Sequence, residues 1–338
     1  MSEEEDWASV PWTRLTGGPT DDTTIGWHKQ RVPYGGLALQ TLDVWIPAAS
    51  SSTTAPPDAA DLLSRPGGGG GQWLIYIHGG AWRDPEVSSS SFSTAASQIF
   101  CQIRASGSGS PKIAGLASLN YRLSPYPHHP TDPSPPPSGP PDPARLAKHP
   151  DHISDVLTGL AFLQRLGAAA DGEYILAGHS CGATLAFQAV MDPARWGLST
   201  RIVKPTVLVG LNGLYHLAGF IAHPPDGYAG LRDAYEEFTR AAFGDDESVW
   251  KEACPASATA WPSEWKEGKR VVLVESREDT LVPYNQLEGM REYLKSSSTA
   301  LQVDEMGATG GHDEIWQKGD QLAEICLQVI LNLWQEIP

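Results

Sequence analysis

Long hydrophobic runs are missing from this 338-residue sequence. No stretch of about 18 apolar residues occurs, so no membrane-spanning helix is expected. Positive charge is also scarce. Against 40 Asp and Glu there are 24 Lys and Arg, a net charge of −16. No basic stripe is present, which argues against a nucleic-acid partner; an acidic surface mainly favours solubility. Cysteine is limited to Cys101, Cys181, Cys254 and Cys326. Their scatter fits neither a zinc site nor a secreted disulfide framework, and it points to a reducing compartment, the cytosol. The first residues, MSEEEDW, are acidic where a signal peptide would be basic and then apolar. No internal repeat is visible.

What is present suits a large core: 41% of the residues are hydrophobic. After a stretch at 1–30 that reads as a loose arm, apolar strand patterns alternate with helical ones. TLDVWI (41–46), WLIYI (73–77), IAGLASLNY (113–121), YILAG (174–178), TVLVGL (206–211), VVLVES (271–276) and LQVDEM (301–306) read as strands. Helical spacing appears at 90–105, 151–166, 181–191, 284–295 and 314–335. On the helix from Asp151, a residue placed to cap it, Ile153, Val156, Leu157, Leu160 and Leu163 form an apolar stripe. Such alternation predicts an α/β fold with a mostly parallel central sheet and helices on both faces. Because the rhythm resumes after each interruption, a single domain over 1–338 is expected. Two low-complexity insertions interrupt it. One, at about 48–72, ends in five glycines; the other, at 124–150, is proline-dense and expected to be extended and exposed. Residues 213–265 are irregular, partly helical and aromatic-rich, suited to a lid.

Two glycine motifs carry the chemistry. GHSCG (178–182) has the G-x-S-x-G pattern directly after a strand and before a helix. There a sharp turn lifts the Ser180 hydroxyl above the sheet, and the helix N-terminus favours a developing anion. Cys181 beside it reads as a small packing residue. HGGAW (His78, Gly79, Gly80, Ala81, Trp82) ends the WLIYI strand and is similar to loops whose N–H groups form half of an oxyanion hole. Gly80 is the expected donor, with Gly79 or Ala81 as alternatives and Cys181 as the other half. His78 is expected to hold this loop through side-chain hydrogen bonds.

A serine hydroxyl needs an imidazole base, and the imidazole a carboxylate. In this chain order the base comes last. His312 in GGHDE is the only histidine after position 223. The acid should follow the penultimate strand. Asp279 in REDTLVP fits best, with Glu278 and Glu275 as near competitors and Asp313 as a distant one. The pairs His128/His129 and His149/His152 lack ligand spacing with a carboxylate, so no metal and no cofactor are expected.

HGGAWRDP (78–85), NYRLSP (120–125), HPDHISDVL (149–157), GHSCGA (178–183), REDTLVP (277–283) and GGHDE (310–314) together give a chain that resembles the fungal kynurenine formamidases, or arylformamidases, of the α/β-hydrolase superfamily. The likeness spans most of 70–335, and the two insertions depart from it. HGGAW points to this branch more than to the hormone-sensitive-lipase esterases. The resemblance implies hydrolysis of N-formyl-L-kynurenine to L-kynurenine and formate, a step of tryptophan degradation toward NAD synthesis. It implies a small-molecule substrate, with Trp82 as an apolar wall for the aryl group, and is compatible with a homodimer. Two other functions stay open: a general carboxylesterase using the same machinery, and a non-catalytic receptor on this fold, as in the plant gibberellin receptors.

Overall fold

The computed structural model describes residues 3–48, 71–106, 113–297 and 301–335. The glycine-rich insertion expected at 48–72 lies almost entirely outside them. Nine strands form one sheet in the order β1-β2-β3-β5-β4-β6-β7-β8-β9. β1 (Thr13–Gly18), β2 (Asp21–Pro33) and β3 (Thr41–Pro47) are antiparallel neighbours, and β3 also runs antiparallel to β5 (Ile113–Leu119). From β5 onward the sheet is parallel, through β4 (Gln72–Ile77), β6 (Tyr174–His179), β7 (Val207–Leu211), β8 (Arg270–Ser276) and β9 (Gln302–Ala308).

Burial on both faces explains why the central strands read as unbroken apolar runs. In β4, Trp73, Ile75 and Ile77 join one core and Leu74 and Tyr76 the other. The first core packs under α3 (Asp151–Arg165), α4 (Cys181–Gln188) and α8 (Asn285–Ser297). The second packs under α2 (Ser93–Ser106) and α10 (Asp320–Gln335). Among the described residues, no helix is long and apolar enough to cross a membrane.

Three expectations are corrected. The loose arm at 1–30 is ordered into α1 (Glu3–Ser9) and the hairpin β1–β2. Polar β2 residues hide this, because Lys29 is buried against chain partners. Its ammonium donates to the carbonyls of Trp7 and Val10 and lies about 5 Å from the Trp7 and Trp12 ring centres. The helix expected at 314–335 breaks into α9 (Glu314–Lys318) and α10 at Gly319, whose φ of 76° terminates the first piece. Asp151 is the first residue of α3 rather than its cap.

The proline-dense segment also departs from its reading. Residues 137–143 are exposed, but Ser124, His129, Ser134, Ala144, Arg145 and Ala147 are buried. Local polar bonds anchor it: Tyr126 and Ser134 pair backbones, His129 Nδ1 accepts from Asp132 N–H at 2.9 Å, and Arg145 binds Asp132 Oδ2 at 2.7 Å. Proline content predicts an extended backbone but not the surface on which it lies.

Candidate active site

β4 lies between β5 and β6, so successive connections leave it on opposite sides and the carboxyl ends of β4 and β6 open a crevice. HGGAW follows β4, and GHSCG joins β6 to α4. The two motifs are therefore brought face to face by strand order. Ser180 sits at the turn with φ 55° and ψ −122°, a conformation that costs energy in a residue bearing a side chain. Its N–H donates to Leu211 O at 2.9 Å, and its carbonyl accepts from Ala183 and Leu214 N–H at 3.0 and 3.3 Å. Gly178 and Gly182 make the close turn possible. A Cβ on the first would stand 2.1 Å from Gly182 O, and one on the second 2.2 Å from Ile77 O.

Opposite Ser180, the φ angles of Gly80, Ala81 and Trp82 are 95°, 48° and 58°. Three successive positive φ angles fold this loop tightly back on itself. The N–H groups of Arg83 and Asp84 close on Gly80 O at 2.9 and 2.8 Å. Trp82 N–H donates to Cys181 Sγ at 3.3 Å, and the Tyr121 hydroxyl donates to the carbonyls of His78 and Gly79 at 3.1 and 3.0 Å. A Cβ on Gly79 would lie 3.1 Å from Ser180 Cβ, so this glycine packs against the serine. Cys181 opens α4, and its N–H has no partner inside the helix. Burial pushes the Cys181 thiol up to about 11, which disqualifies it as a nucleophile near neutral pH. His78 is bonded through Nδ1 to Gly79 O at 2.9 Å and stacks on Tyr121; burial pushes it down to about 4. Tyr121 therefore shares the loop-holding role expected of His78.

His312 lies on the loop between β9 and α9, and Asp279 on the turn after β8. Asp279 Oδ2 is 2.6 Å from His312 Nδ1, and Asp279 Oδ1 accepts from Leu281 and Val282 N–H at 2.8 Å each. The competing acids are engaged elsewhere. Glu278 accepts from Gly310 N–H, and Asp313 from Trp316 Nε1–H. Glu275 is buried, and among the described residues neither of its oxygens has a hydrogen-bond partner. Burial first, and Asp279 second, push its carboxyl well above the usual range, which disfavours the charged form an imidazolium partner needs.

Ser180, Gly80, Ala81 and His312 wall one cleft, whose apolar side comes from Leu214, Leu231, Tyr235, Phe238 and Leu281. Trp82 is not among them. It is 0% exposed and packs beneath the loop on Phe238 and Phe243, with ring centres 6.0 and 5.0 Å away. The aromatic residues that line the cleft are instead Tyr126 and, on α6 (Arg232–Phe243) within the aromatic-rich segment, Tyr235 and Phe238. Tyr228 and Tyr235 hydroxyls tie that segment to the acid turn, donating to Asp279 O at 2.5 Å and Leu281 O at 2.7 Å. Of the early histidines, His152 bonds Ser124 at 2.9 Å, and His149 packs on Trp196. Among the described residues His179, His312 and Asp313 could converge on an ion, but His312 Nδ1 and Asp313 already serve Asp279 and Trp316.

No family model matches the chain. Over 316 residues it is 35% identical to a kynurenine formamidase-like hydrolase of Fusarium equiseti, spanning 92% of this chain and 96% of that one. The chain belongs to the kynurenine formamidase family. It is also 35% identical over 262 residues to a kynurenine formamidase of Aspergillus versicolor, covering 73% of this chain and 84% of that one. Esterase B of Lactobacillus rhamnosis superposes with a TM-score of 0.64 at 12% identity, over 99% of this chain and 91% of that one. A hyperthermophilic esterase of Pyrobaculum calidifontis gives 0.54 at 15%, over 98% and 91%. At such identities these neighbours establish the α/β-hydrolase fold, and with the relatives they make this formamidase-family chain a hydrolase.

Sequence reading missed the residues that hold this formamidase-family site together. Asn212, at the end of β7, is fully buried with φ 44°. Its Oδ1 accepts from Ser276 N–H at 3.0 Å and its Nδ2 donates to His312 O at 3.1 Å. His179 Nε2 meets the same carbonyl at 3.0 Å, and Ser276 Oγ donates to Gly310 O at 2.7 Å. The loops bearing His312 and Asp279 are thus cross-braced through β6 and β7. No motif marks Asn212; its only signal is its place, two residues after the glycine of TVLVGL. Asn212→Gly keeps the left-handed backbone and deletes both side-chain bonds. It should lower kcat by about 10- to 100-fold with little change in KM. Steady-state kinetics on protein of matched thermal stability check this, and an equal loss in KM alone would contradict it.

Buried histidines set the acid sensitivity of the fold. Desolvation pushes His78 and His149 down to about 4 and His152 to about 3. They stay neutral in the folded protein but take up protons in the unfolded chain below about pH 6.5. Their stabilising contribution is full above that pH and is lost as pH falls through about 4. Such displacements correspond to roughly 3 to 5 kcal/mol each. The melting temperature should therefore drop steeply between about pH 6 and pH 4. Replacing His152 by asparagine should flatten that slope.

Proposed function

We propose that the chain hydrolyses N-formyl-L-kynurenine to L-kynurenine and formate, in the cytoplasm and as part of tryptophan degradation, with Ser180, His312 and Asp279 as its catalytic triad. The observation that carries this reading is the 2.6 Å Asp279–His312 pair, with His312 and Ser180 walling one cleft beside Gly80 of the glycine loop. Family membership supports the substrate.

Asp279 holds the proton of His312 on Nδ1, leaving Nε2 as the base. Ser180, losing its proton to Nε2, attacks the formyl carbon. The oxyanion is received by the N–H groups of Gly80 and Cys181, with Gly79 packed behind the serine. His312 then protonates the departing arylamine, which is too poor a leaving group to depart as an anion. Water activated by the same imidazole releases formate and restores Ser180. Formyl carries only hydrogen, so the acyl side needs little room, while Tyr235 and Phe238 face the aryl ring.

The test compares kcat/KM for formylkynurenine with that for short p-nitrophenyl esters, with formate and arylamine both measured. Stoichiometric release of the two with a preference for the formamide supports the reading. A large preference for the esters overturns it.

A further inference from the structure

The substrate proposed above carries an amino-acid arm on its aryl ring, and an acidic protein needs a placed cation to receive the carboxylate of that arm. The residue directly after the HGGAW loop supplies one. Arg83 walls the same cleft as Ser180 and His312, and among the described cleft residues it is the only lysine or arginine. Its backbone N–H bonds Gly80 O at 2.9 Å, so the side chain is rooted in the loop that faces the reacting carbon.

The guanidinium is held ready for a planar anion. Its side chain is 8% exposed, with the guanidinium carbon 3.9 Å from the centre of the Tyr126 ring. Stacking fixes the guanidinium plane. Nη1 donates to Glu237 Oε1 at 2.9 Å, and Glu237 itself is 44% exposed. Arginine offers five N–H donors in a fork that matches a carboxylate, so one bond to Glu237 leaves capacity for a ligand. Asp84, the next residue, also walls the cleft. Of the two aspartates there, Asp313 sits beside His312 at the reacting end, whereas Asp84 adjoins Arg83.

We propose that Arg83 binds the α-carboxylate of the substrate's amino-acid arm and Asp84 its α-ammonium. This assignment rests on the formamidase reading and adds the residues that distinguish formylkynurenine from a plain aryl formamide. It also gives Tyr126, in the proline-dense segment, a function: it presents the guanidinium.

The experiment compares formylkynurenine with 2-formamidoacetophenone, the same aryl formamide without the α-carbon and its ammonium and carboxylate. Arg83→Met should cut kcat/KM for formylkynurenine by about 10- to 100-fold, mostly through KM. The preference for formylkynurenine over the acetophenone should fall by a similar factor, and Arg83→Lys should restore part of it. Asp84→Asn should weaken the preference less. Glu237→Gln, at an exposed position that does not threaten folding, removes the competing negative charge and should lower KM for formylkynurenine by up to about fivefold. Equal losses on both substrates in Arg83→Met, or an unchanged preference, overturn the assignment. A wild-type enzyme that cleaves neither formamide overturns the formamidase reading and this assignment with it, and is recognised before any variant is made.

Discussion

Ser180→Ala should lower kcat on formylkynurenine by roughly 10⁵-fold or more, to the residual rate left by binding and oxyanion donors alone. The substitution removes the only atom that forms the acyl-enzyme. It should leave the fold intact, because the backbone of Ser180 carries the bonds that shape the turn: N–H to Leu211 O, and carbonyl to Ala183 and Leu214 N–H. The left-handed φ of 55° is unfavourable for serine and alanine alike, so the change in stability is small. Single-turnover kinetics with formate detection give the rate, and a fluorophosphonate probe should label the wild type but not the variant. Retention of most of the activity in Ser180→Ala would remove the nucleophile from the scheme and revive a different chemistry on this fold.

Asp279→Asn carries the second largest effect, a loss of roughly 10⁴-fold in kcat. The amide keeps the acceptor that Leu281 and Val282 N–H require at Oδ1, so the turn after β8 survives. What changes is the group facing His312 Nδ1 at 2.6 Å. An amide N–H there forces the imidazole to carry its proton on Nε2, where it cannot accept one from Ser180. The loss should therefore appear in both acylation and probe labelling, with KM little altered. Glu275 is poorly placed to substitute: it lies in β8, and burial raises its carboxyl pKa. If the Asp279→Asn variant labels as fast as wild type, the carboxylate is structural and the base acts without it.

The legible part of the site was the part fixed by local chain geometry or by elimination. A strand, a glycine-flanked serine and a helix specify a sharp turn within a few residues, so GHSCG placed Ser180 without tertiary information. His312 followed from histidine supply and chain order. Asp279 was readable as the best of several acids, but its choice over Glu275 and Glu278 depends on where each carboxylate points. That is decided by the turn after β8: Glu275 is still in the strand and faces inward, while Glu278 reaches across to Gly310. Trp82 was misplaced for a related reason. A large apolar residue beside a catalytic loop suits either a ligand wall or a core, and the successive left-handed residues turn its ring into the core against Phe243.

Sequence by itself determined the α/β layering and marked Ser180, His312 and the glycine loop as candidates, because each depends on local periodicity, on a short motif or on the count of one residue type. Tertiary structure alone decided which strands are neighbours, and with that the meeting of HGGAW and GHSCG at the ends of β4 and β6. It also decided the bracing by Asn212, the aromatic wall from α6 and the stacking of Arg83 on Tyr126. These contacts join residues tens of positions apart, and no periodicity or motif in a single chain records a long-range contact made by one side chain.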